Sequence, residues 1–195
     1  MKKKAVFIDR DGTINRDVGY PSSYSMIDIY PYSFEAVKKI KAAGFLAVII
    51  TNQSGVGRGI IEEKGLQNIH AKLNEEFERR GVSFDGIYYC PHYVFSEAEK
   101  FREKCACRKP NPGMGKRAAQ DLDIDTSLSY MIGDKVEDLL FGININAAPI
   151  LVLTGYGLES QKKLEENGIH PAYVAHNFLE AVDWIVKQEK TASAS

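Results

Sequence analysis

Val6-Phe7-Ile8-Asp9-Arg10-Asp11-Gly12-Thr13 is a short apolar run that ends abruptly in two carboxylates one residue apart. A run this short, bounded by a glycine, predicts a buried strand whose exit carries Asp9 and Asp11 at its C-terminal edge. That edge is where open α/β sheets bind ligands. Carboxylates spaced i, i+2 repel each other, so a cation or a proton between them is expected, and a divalent metal is the natural candidate. A lone Asp-x-Asp is more often a solvated turn; the rest of the chain argues against that here.

Downstream, Ile14 to Pro31 carries Gly19, Pro21 and Pro31 with no clean period and reads as a loop long enough to have a function. From Phe34 the spacing of Phe34, Val37 and Ile40 predicts a helix closed by Gly44. Phe45 to Ile50 is then a continuous apolar run, as expected of a strand covered on both faces, and it ends in Thr51-Asn52-Gln53-Ser54. Strand, helix and strand make a βαβ unit with a right-handed crossover, so Asp9/Asp11 and Thr51/Asn52 are expected on one sheet edge. Gly55-Val56-Gly57-Arg58-Gly59 reads as a flexible turn and does not fit a nucleoside-triphosphate loop. Leu66, Ile69, Leu73 and Phe77 recur at helical spacing between Glu62 and Arg80 and are read as core.

Gly86 to Tyr89 is expected to be a third strand and Ser129 to Ile132 a fourth, the latter ending in Gly133-Asp134-Lys135-Val136-Glu137-Asp138. A helix around Met114 to Leu122, another at Leu139 to Ile143, a fifth strand at Pro149 to Leu153 and helices at Leu158 to Asn167 and Phe178 to Lys187 complete the pattern. The expected fold class is α/β: a Rossmann-like parallel sheet with helices on both faces, in a single domain over residues 1–190. Residues 191–195 are expected to fray.

Lys+Arg 25 against Asp+Glu 26 leaves no global basic field, so neither nucleic acid nor a membrane surface is expected as a partner. The apolar run after Met1-Lys2-Lys3-Lys4 is too short for a signal peptide, and no run approaches a membrane span, so a cytoplasmic location is expected. All three cysteines fall in one segment. Cys90-x-His92 followed by Cys105-x-Cys107 supplies three thiolates and an imidazole, the ligand set of a closed structural Zn²⁺ site. Such a zinc would staple the loop that continues into Arg108-Lys109-Pro110-Asn111-Pro112-Gly113. His70, His170 and His176 lack metal spacing and are assigned surface or core-edge roles, and Trp184 a core anchor.

Asp9, Asp11, Thr51, Asn52, Lys109 and Asp134 all fall at or just past expected strand ends, so they can share one cleft. Sorted by chemistry they form a phosphoryl-transfer set. Mg²⁺ prefers oxygen ligands and takes one or two carboxylates together with a phosphate, which Asp9 and Asp134 could provide. Asp9 is placed to attack phosphorus, Asp11 to act as acid and base, and Lys109 to neutralise equatorial oxygens.

Asp9-x-Asp11-Gly12-Thr13, Thr51-Asn52, Lys109 and Gly133-Asp134-x-x-x-Asp138 resemble, in order, the motifs of the haloacid dehalogenase (HAD)-like phosphohydrolases. The resemblance implies Asp9 as nucleophile, Asp11 as acid/base, Thr51 as phosphate anchor and Lys109 as charge-neutralising lysine. It implies Mg²⁺ held by Asp9, Asp134 and the main-chain carbonyl of Asp11, with Asp138 in support. The zinc motif marks a capless branch holding histidinol-phosphate phosphatases and D,D-heptose 1,7-bisphosphate phosphatases. Asp17-Val18-Gly19-Tyr20, Thr51-Asn52-Gln53-Ser54-Gly55 and Cys107-Arg108-Lys109-Pro110-x-Pro112-Gly113-Met114 favour the heptose enzymes, as does a chain with no fused dehydratase. The implied activity is removal of the C7 phosphate of a heptose bisphosphate, leaving heptose 1-phosphate for the nucleotide-activated heptose of lipopolysaccharide or S-layers. The implied substrate contacts are Asp17, Gly19, Tyr20, Asn52, Gln53, Ser54, Arg108 and Lys135, Arg108 meeting the second phosphate of a small sugar bisphosphate, in a monomer. The alternatives are a histidinol-phosphate phosphatase and a zinc-stapled phosphosugar-binding protein without turnover. Gly57 departs from the alanine usual in that branch and is expected to loosen its loop by up to about 1 kcal/mol.

Overall fold

A computed structural model describes residues 2–193. Its elements are β1 (Ala5–Ile8), α1 (Ser33–Ala42), β2 (Leu46–Asn52), α2 (Ser54–Gly57), α3 (Glu63–Glu78), β3 (Gly86–Cys90) and α4 (Gly113–Leu122). The second half adds β4 (Tyr130–Gly133), α5 (Val136–Asn144), β5 (Ala148–Val152), α6 (Gly157–Glu166), β6 (Tyr173–Ala175) and α7 (Phe178–Ser193).

Side-chain alternation along β1 and β2 sets the layering. Val6, Ile8, Ala47 and Ile49 face one side, where they pack with Ala36, Val37 and Ile40 of α1 and Ala181, Val182 and Ile185 of α7. Ala5, Phe7, Val48 and Ile50 face the other, against Met114 and Ala118 of α4 and Phe141 of α5. Both faces are thus covered, and each large apolar side chain so buried stabilises the fold by roughly 1.5–3 kcal/mol. A strand buried on both faces must be apolar throughout, which is why β1 and β2 lack the polar alternation of a half-solvated strand.

The sheet has six strands in the order β3-β2-β1-β4-β5-β6, and every neighbouring pair is parallel. Strand order reverses at β1, and a crevice opens there beyond the C-terminal ends of β1 and β4. Asp9 leaves β1 and Asp134 leaves β4 at that crevice. The Asp9 N–H still donates to Ile132 O at 2.9 Å, so the sheet holds Asp9 in register with β4.

Some elements differ from the sequence reading. β6 is only three residues long, too short for any periodicity to register. α7 runs to Ser193, past the expected end at Lys187 and into the stretch expected to fray; residues 194 and 195 of that stretch lie outside the described residues. The glycine-rich segment after β2 is not a flexible turn: Ser54–Gly57 closes one helical turn with Gly55, Val56 and Gly57 buried. Gly57 N–H donates to Pro91 O at 2.9 Å. A Cβ on Gly57 would lie 2.6 Å from Pro91 O and 2.8 Å from Tyr93 N. Its glycine therefore permits close packing on the loop after β3 and does not loosen the turn. Among the described residues, no helix is long and apolar enough to cross a membrane.

Candidate active site

The strand exits converge on a cleft of about 730 Å³. Asp9, Asp11, Thr51 and Lys109 line its floor, together with Asn52, Gln53, Ser54 and Lys135. Asp17, Gly19 and Tyr20 of the first loop and Arg108 line its rim. Asp134 is fully buried beneath it.

One oxygen from each of Asp9, Asp134 and Asp138 falls within 4.8 Å of the others, a spacing that suits one cation. Three glycines make the approach possible. A side chain on Gly12, whose φ is +88°, or on Gly155 would collide with the Asp134 carboxylate, and one on Gly133 would collide with that of Asp138. Asp134 Oδ2 accepts from Tyr156 N at 2.8 Å, whereas Asp134 Oδ1 is buried without a partner among the described residues. An orphaned carboxylate oxygen beside two further carboxylates is what an oxygen-liganded divalent ion would satisfy. The residues present therefore fit a magnesium site.

Electrostatics point the same way. Burial, reinforced by the charges of Asp138 and Asp9, pushes Asp134 up to about 8. Burial, offset in part by Lys109 and reinforced by Asp138, pushes Asp9 up to about 6. Lys109 is held above its ordinary value by Asp138 and Asp9 although burial alone would lower it. Its Nζ lies 2.7 Å from Asp9 Oδ1 and 2.6 Å from Asp138 Oδ1, and it donates to Ile50 O at 2.9 Å. Lys135 is likewise raised against burial by Asp9 and Asp134, and its Nζ reaches Asp17 Oδ2 at 2.9 Å.

A pH dependence follows from these shifts. Asp9 and Asp134 bind a proton more tightly folded than at the ordinary carboxylate value of 3.8. The folded state then holds more protons than the unfolded one, and stability falls as pH rises between those values. In magnesium-free buffer the melting temperature is expected to drop from pH 5 to pH 8, with added Mg²⁺ recovering the loss at pH 8. Thermal melts at the two pH values check this; a melting temperature that rises to pH 8 without magnesium contradicts it.

Asp11 stands apart from the carboxylate cluster. Its Oδ1 accepts from Arg10 Nε at 3.0 Å, Arg10 Nη2 at 2.9 Å and Asn15 Nδ2 at 3.0 Å. Its Oδ2 accepts from Arg10 Nη2 at 2.7 Å and Gln53 Nε2 at 2.9 Å. Against the cost of burial, Arg10 and these hydrogen bonds hold Asp11 below the usual carboxylate value. Gln53 Nε2 also donates to Thr51 Oγ1 at 2.9 Å. Asn52 fixes the opposite wall, its Oδ1 accepting from Lys109 N at 3.0 Å and its Nδ2 donating to Lys109 O at 3.2 Å.

Cys90, His92, Cys105 and Cys107 also bring their donor atoms within 4.8 Å of one another. His92 Nδ1 lies 3.1 Å from Cys107 Sγ and 3.5 Å from Cys90 Sγ, and the Cys90 and Cys105 sulfurs are 3.4 Å apart. His92 turns its other nitrogen to Glu103 Oε1 at 3.0 Å, the arrangement common to metal-bound imidazoles. The donor set fits a tetrahedral metal site.

Asp138, expected in support, brings an oxygen into the carboxylate cluster and pairs with Lys109. Sequence reasoning missed other residues here. Arg10 is fully buried, and His70, assigned to the surface or a core edge, is buried against it at 5% exposure. Glu103, Lys104, Glu137 and Tyr156 also line the cleft. Long-range polar pairs of this kind leave no local periodicity.

Residues 106–181 match the family model described as "HAD-hyrolase-like". A D-glycero-beta-D-manno-heptose-1,7-bisphosphate 7-phosphatase of Pasteurella multocida is 42% identical over 85% of this chain and 90% of its own length. The Escherichia coli K12 protein of the same name is 38% identical over 96% of each chain. The crystal structure of D,D-heptose 1,7-bisphosphate phosphatase from B. bronchiseptica, complexed with magnesium and phosphate, superposes with a TM-score of 0.83 at 30% identity, covering 95% of this chain and 99% of that one. The converging carboxylates, the facing lysine and this similarity over nearly the full length lead to one conclusion: the chain belongs to the HAD-like phosphatases, in the D-glycero-β-D-manno-heptose-1,7-bisphosphate 7-phosphatase family.

Proposed function

We propose that this chain removes the C7 phosphate of D-glycero-β-D-manno-heptose 1,7-bisphosphate by way of a phosphoryl group carried on Asp9. The observation that carries the reading is the buried Asp9, set 2.7 Å from Lys109 Nζ and beside Asp134 and Asp138. Phosphate monoesters hydrolyse so slowly in water that rate enhancements of up to ~10²¹-fold are required of their enzymes. Splitting the reaction through a covalent intermediate replaces one difficult step with two easier ones.

Asp9 Oδ attacks phosphorus and the bond to the C7 oxygen breaks. An incoming phosphate dianion next to Asp11 raises that carboxyl's affinity for a proton, since like charge disfavours the ionised form. Asp11 then passes the proton to the leaving oxygen, with Oδ2 exchanging its Gln53 partner for the substrate. In the second half Asp11, again ionised under Arg10, takes a proton from the water that attacks the phosphoaspartate. Thr51, the Asn52 segment and Lys109 hold the phosphoryl oxygens. Magnesium, held by Asp9, Asp134 and the main-chain carbonyl of Asp11 with Asp138 in support, would neutralise charge on the transferring group.

Zinc is the ion we infer for the Cys90, His92, Cys105 and Cys107 cluster, because a closed sulfur-rich tetrahedral set with no open position suits a structural site. It would fix the segment that runs directly into Arg108 and Lys109. Three thiols committed to a metal also support a reducing, cytoplasmic location.

Arg108 and Lys104 line the cleft, and neither is in an ion pair among the described residues. We assign Arg108 to the second, non-reacting phosphate, with Asp17, Gly19, Tyr20, Ser54 and Lys135 around the sugar. Arg108→Ala is expected to raise KM for the bisphosphate by about 10–100-fold, the worth of one charge-assisted hydrogen-bonding group, with kcat little changed. Steady-state kinetics on the variant check it; an unchanged KM refutes the assignment. The function itself is tested by kcat/KM on the β-anomer of heptose 1,7-bisphosphate, the α-anomer and histidinol phosphate. The β-bisphosphate is expected to be the best of the three, and equal or better turnover of histidinol phosphate would overturn the reading in favour of a histidinol phosphatase.

A further inference from the structure

Arg10 is the largest fully buried side chain among the described residues, and burying a guanidinium is costly unless every face of it is used. One face grips Asp11 through Nε and Nη2. The other points away from the cleft, with Nη1 3.1 Å from His70 Nε2. Arginine has no acceptor and stays charged, so Nη1 must be the donor and His70 Nε2 an unprotonated ring nitrogen. His70 is accordingly neutral with its proton on Nδ1. Burial and the neighbouring guanidinium lower its pKa to about 3, in keeping with that assignment.

His70 is rigidly placed. It sits on α3, whose Leu66, Ile69, Leu73 and Phe77 are all fully buried, and its ring packs on Tyr89 with centroids 5.5 Å apart. Arg10, by contrast, adjoins Asp11 in sequence at a strand exit, where the backbone alone does not select one guanidinium orientation. The hydrogen bond it donates to His70 ties that guanidinium to the helical layer. A buried chain results: His70 accepts from Arg10, Arg10 donates to Asp11, and Gln53 donates to both Asp11 and Thr51.

We propose that His70 is a positioning residue for catalysis: by accepting a hydrogen bond from Arg10 it locks the guanidinium fork that aims the Asp11 carboxylate at the leaving oxygen and the attacking water. The inference rests on the reading of Asp11 as the acid/base. His70 touches no substrate atom, so its effect appears in kcat and not in KM.

The test compares three replacements of His70 with the chain otherwise intact. Glutamine places an acceptor where Nε2 stands, whereas asparagine reaches only as far as Nδ1 and leucine offers none. His70→Leu and His70→Asn are expected to lower kcat on the heptose bisphosphate by about 10–100-fold, the scale of a misplaced catalytic group, with KM within about threefold. His70→Gln is expected to stay within about threefold of the parent in both. Thermal melts identify any variant that has lost its fold, and the glutamine and asparagine variants, both small and polar, keep the comparison available if leucine does not fold. Parent-like kcat in His70→Asn, or a glutamine variant as slow as the asparagine one, overturns the proposal. Asp11→Asn measured alongside separates the two levels: if it retains turnover, the acid/base reading fails; if it is inactive while His70→Asn is parent-like, the positioning inference alone fails.

Discussion

Asp9→Asn is expected to lower kcat on the heptose bisphosphate by about 10⁴-fold or more while leaving the fold intact. The amide keeps the shape of the carboxylate and can still accept from Lys109, but it cannot attack phosphorus. Nor is its charge a source of stability. Burial, partly offset by Lys109 and reinforced by Asp138, lifts Asp9 to about 6, so the ionised carboxylate strains the metal-free fold above that pH. The variant is therefore expected to melt at or above the parent temperature at pH 8 in magnesium-free buffer. Kinetics and melts on one preparation check both halves; turnover within tenfold of the parent refutes covalent catalysis by Asp9.

Lys109→Met is expected to be the most destabilising single change in the cleft. The Lys109 ammonium is buried at 3% side-chain exposure and contacts both Asp9 and Asp138. Without it, three clustered carboxylates face one another in a buried site. Removing one partner of a buried ion pair costs about 3–5 kcal/mol, which in a chain of this size lowers the melting temperature by about 6–20 °C. Added Mg²⁺ is expected to recover part of that loss, because it supplies positive charge to the same oxygens. Turnover should still fall by about 10²–10³-fold, since the lost donor faces the transferring phosphoryl group. Melts with and without magnesium are the check, and a magnesium-free melting temperature equal to the parent's contradicts the account.

Most of the scaffold was legible because a doubly covered parallel sheet writes itself as apolar runs with polar ends. The run Val6 to Ile8 and the run Phe45 to Ile50 announced β1 and β2, and the parallel crossover between them implied that Asp9 and Thr51 share an edge. The same rule brought Asp134 beneath that edge, and Lys109 joins the cleft from the loop between β3 and α4. What the pattern could not announce was pairing at a distance. His70 sits within an apolar helical stripe and meets Arg10 sixty residues away in sequence, with nothing local to mark either as buried. The glycines of α2 misled for a related reason: glycine signals freedom and close approach equally, and only the neighbouring Pro91 and Tyr93 decide between them. β6, three residues long, was below the reach of any period.

Phosphoryl transfer to Asp9 leaves a direct trace on the protein. Heptose 1,7-bisphosphate radiolabelled at the C7 phosphate, mixed with the enzyme and quenched in acid during turnover, tests it by peptide mapping of the protein. The expected result is label on the peptide containing Asp9, lost in Asp9→Asn. Label on another residue, or a burst of heptose 1-phosphate matching the enzyme concentration with no labelled protein, would contradict it.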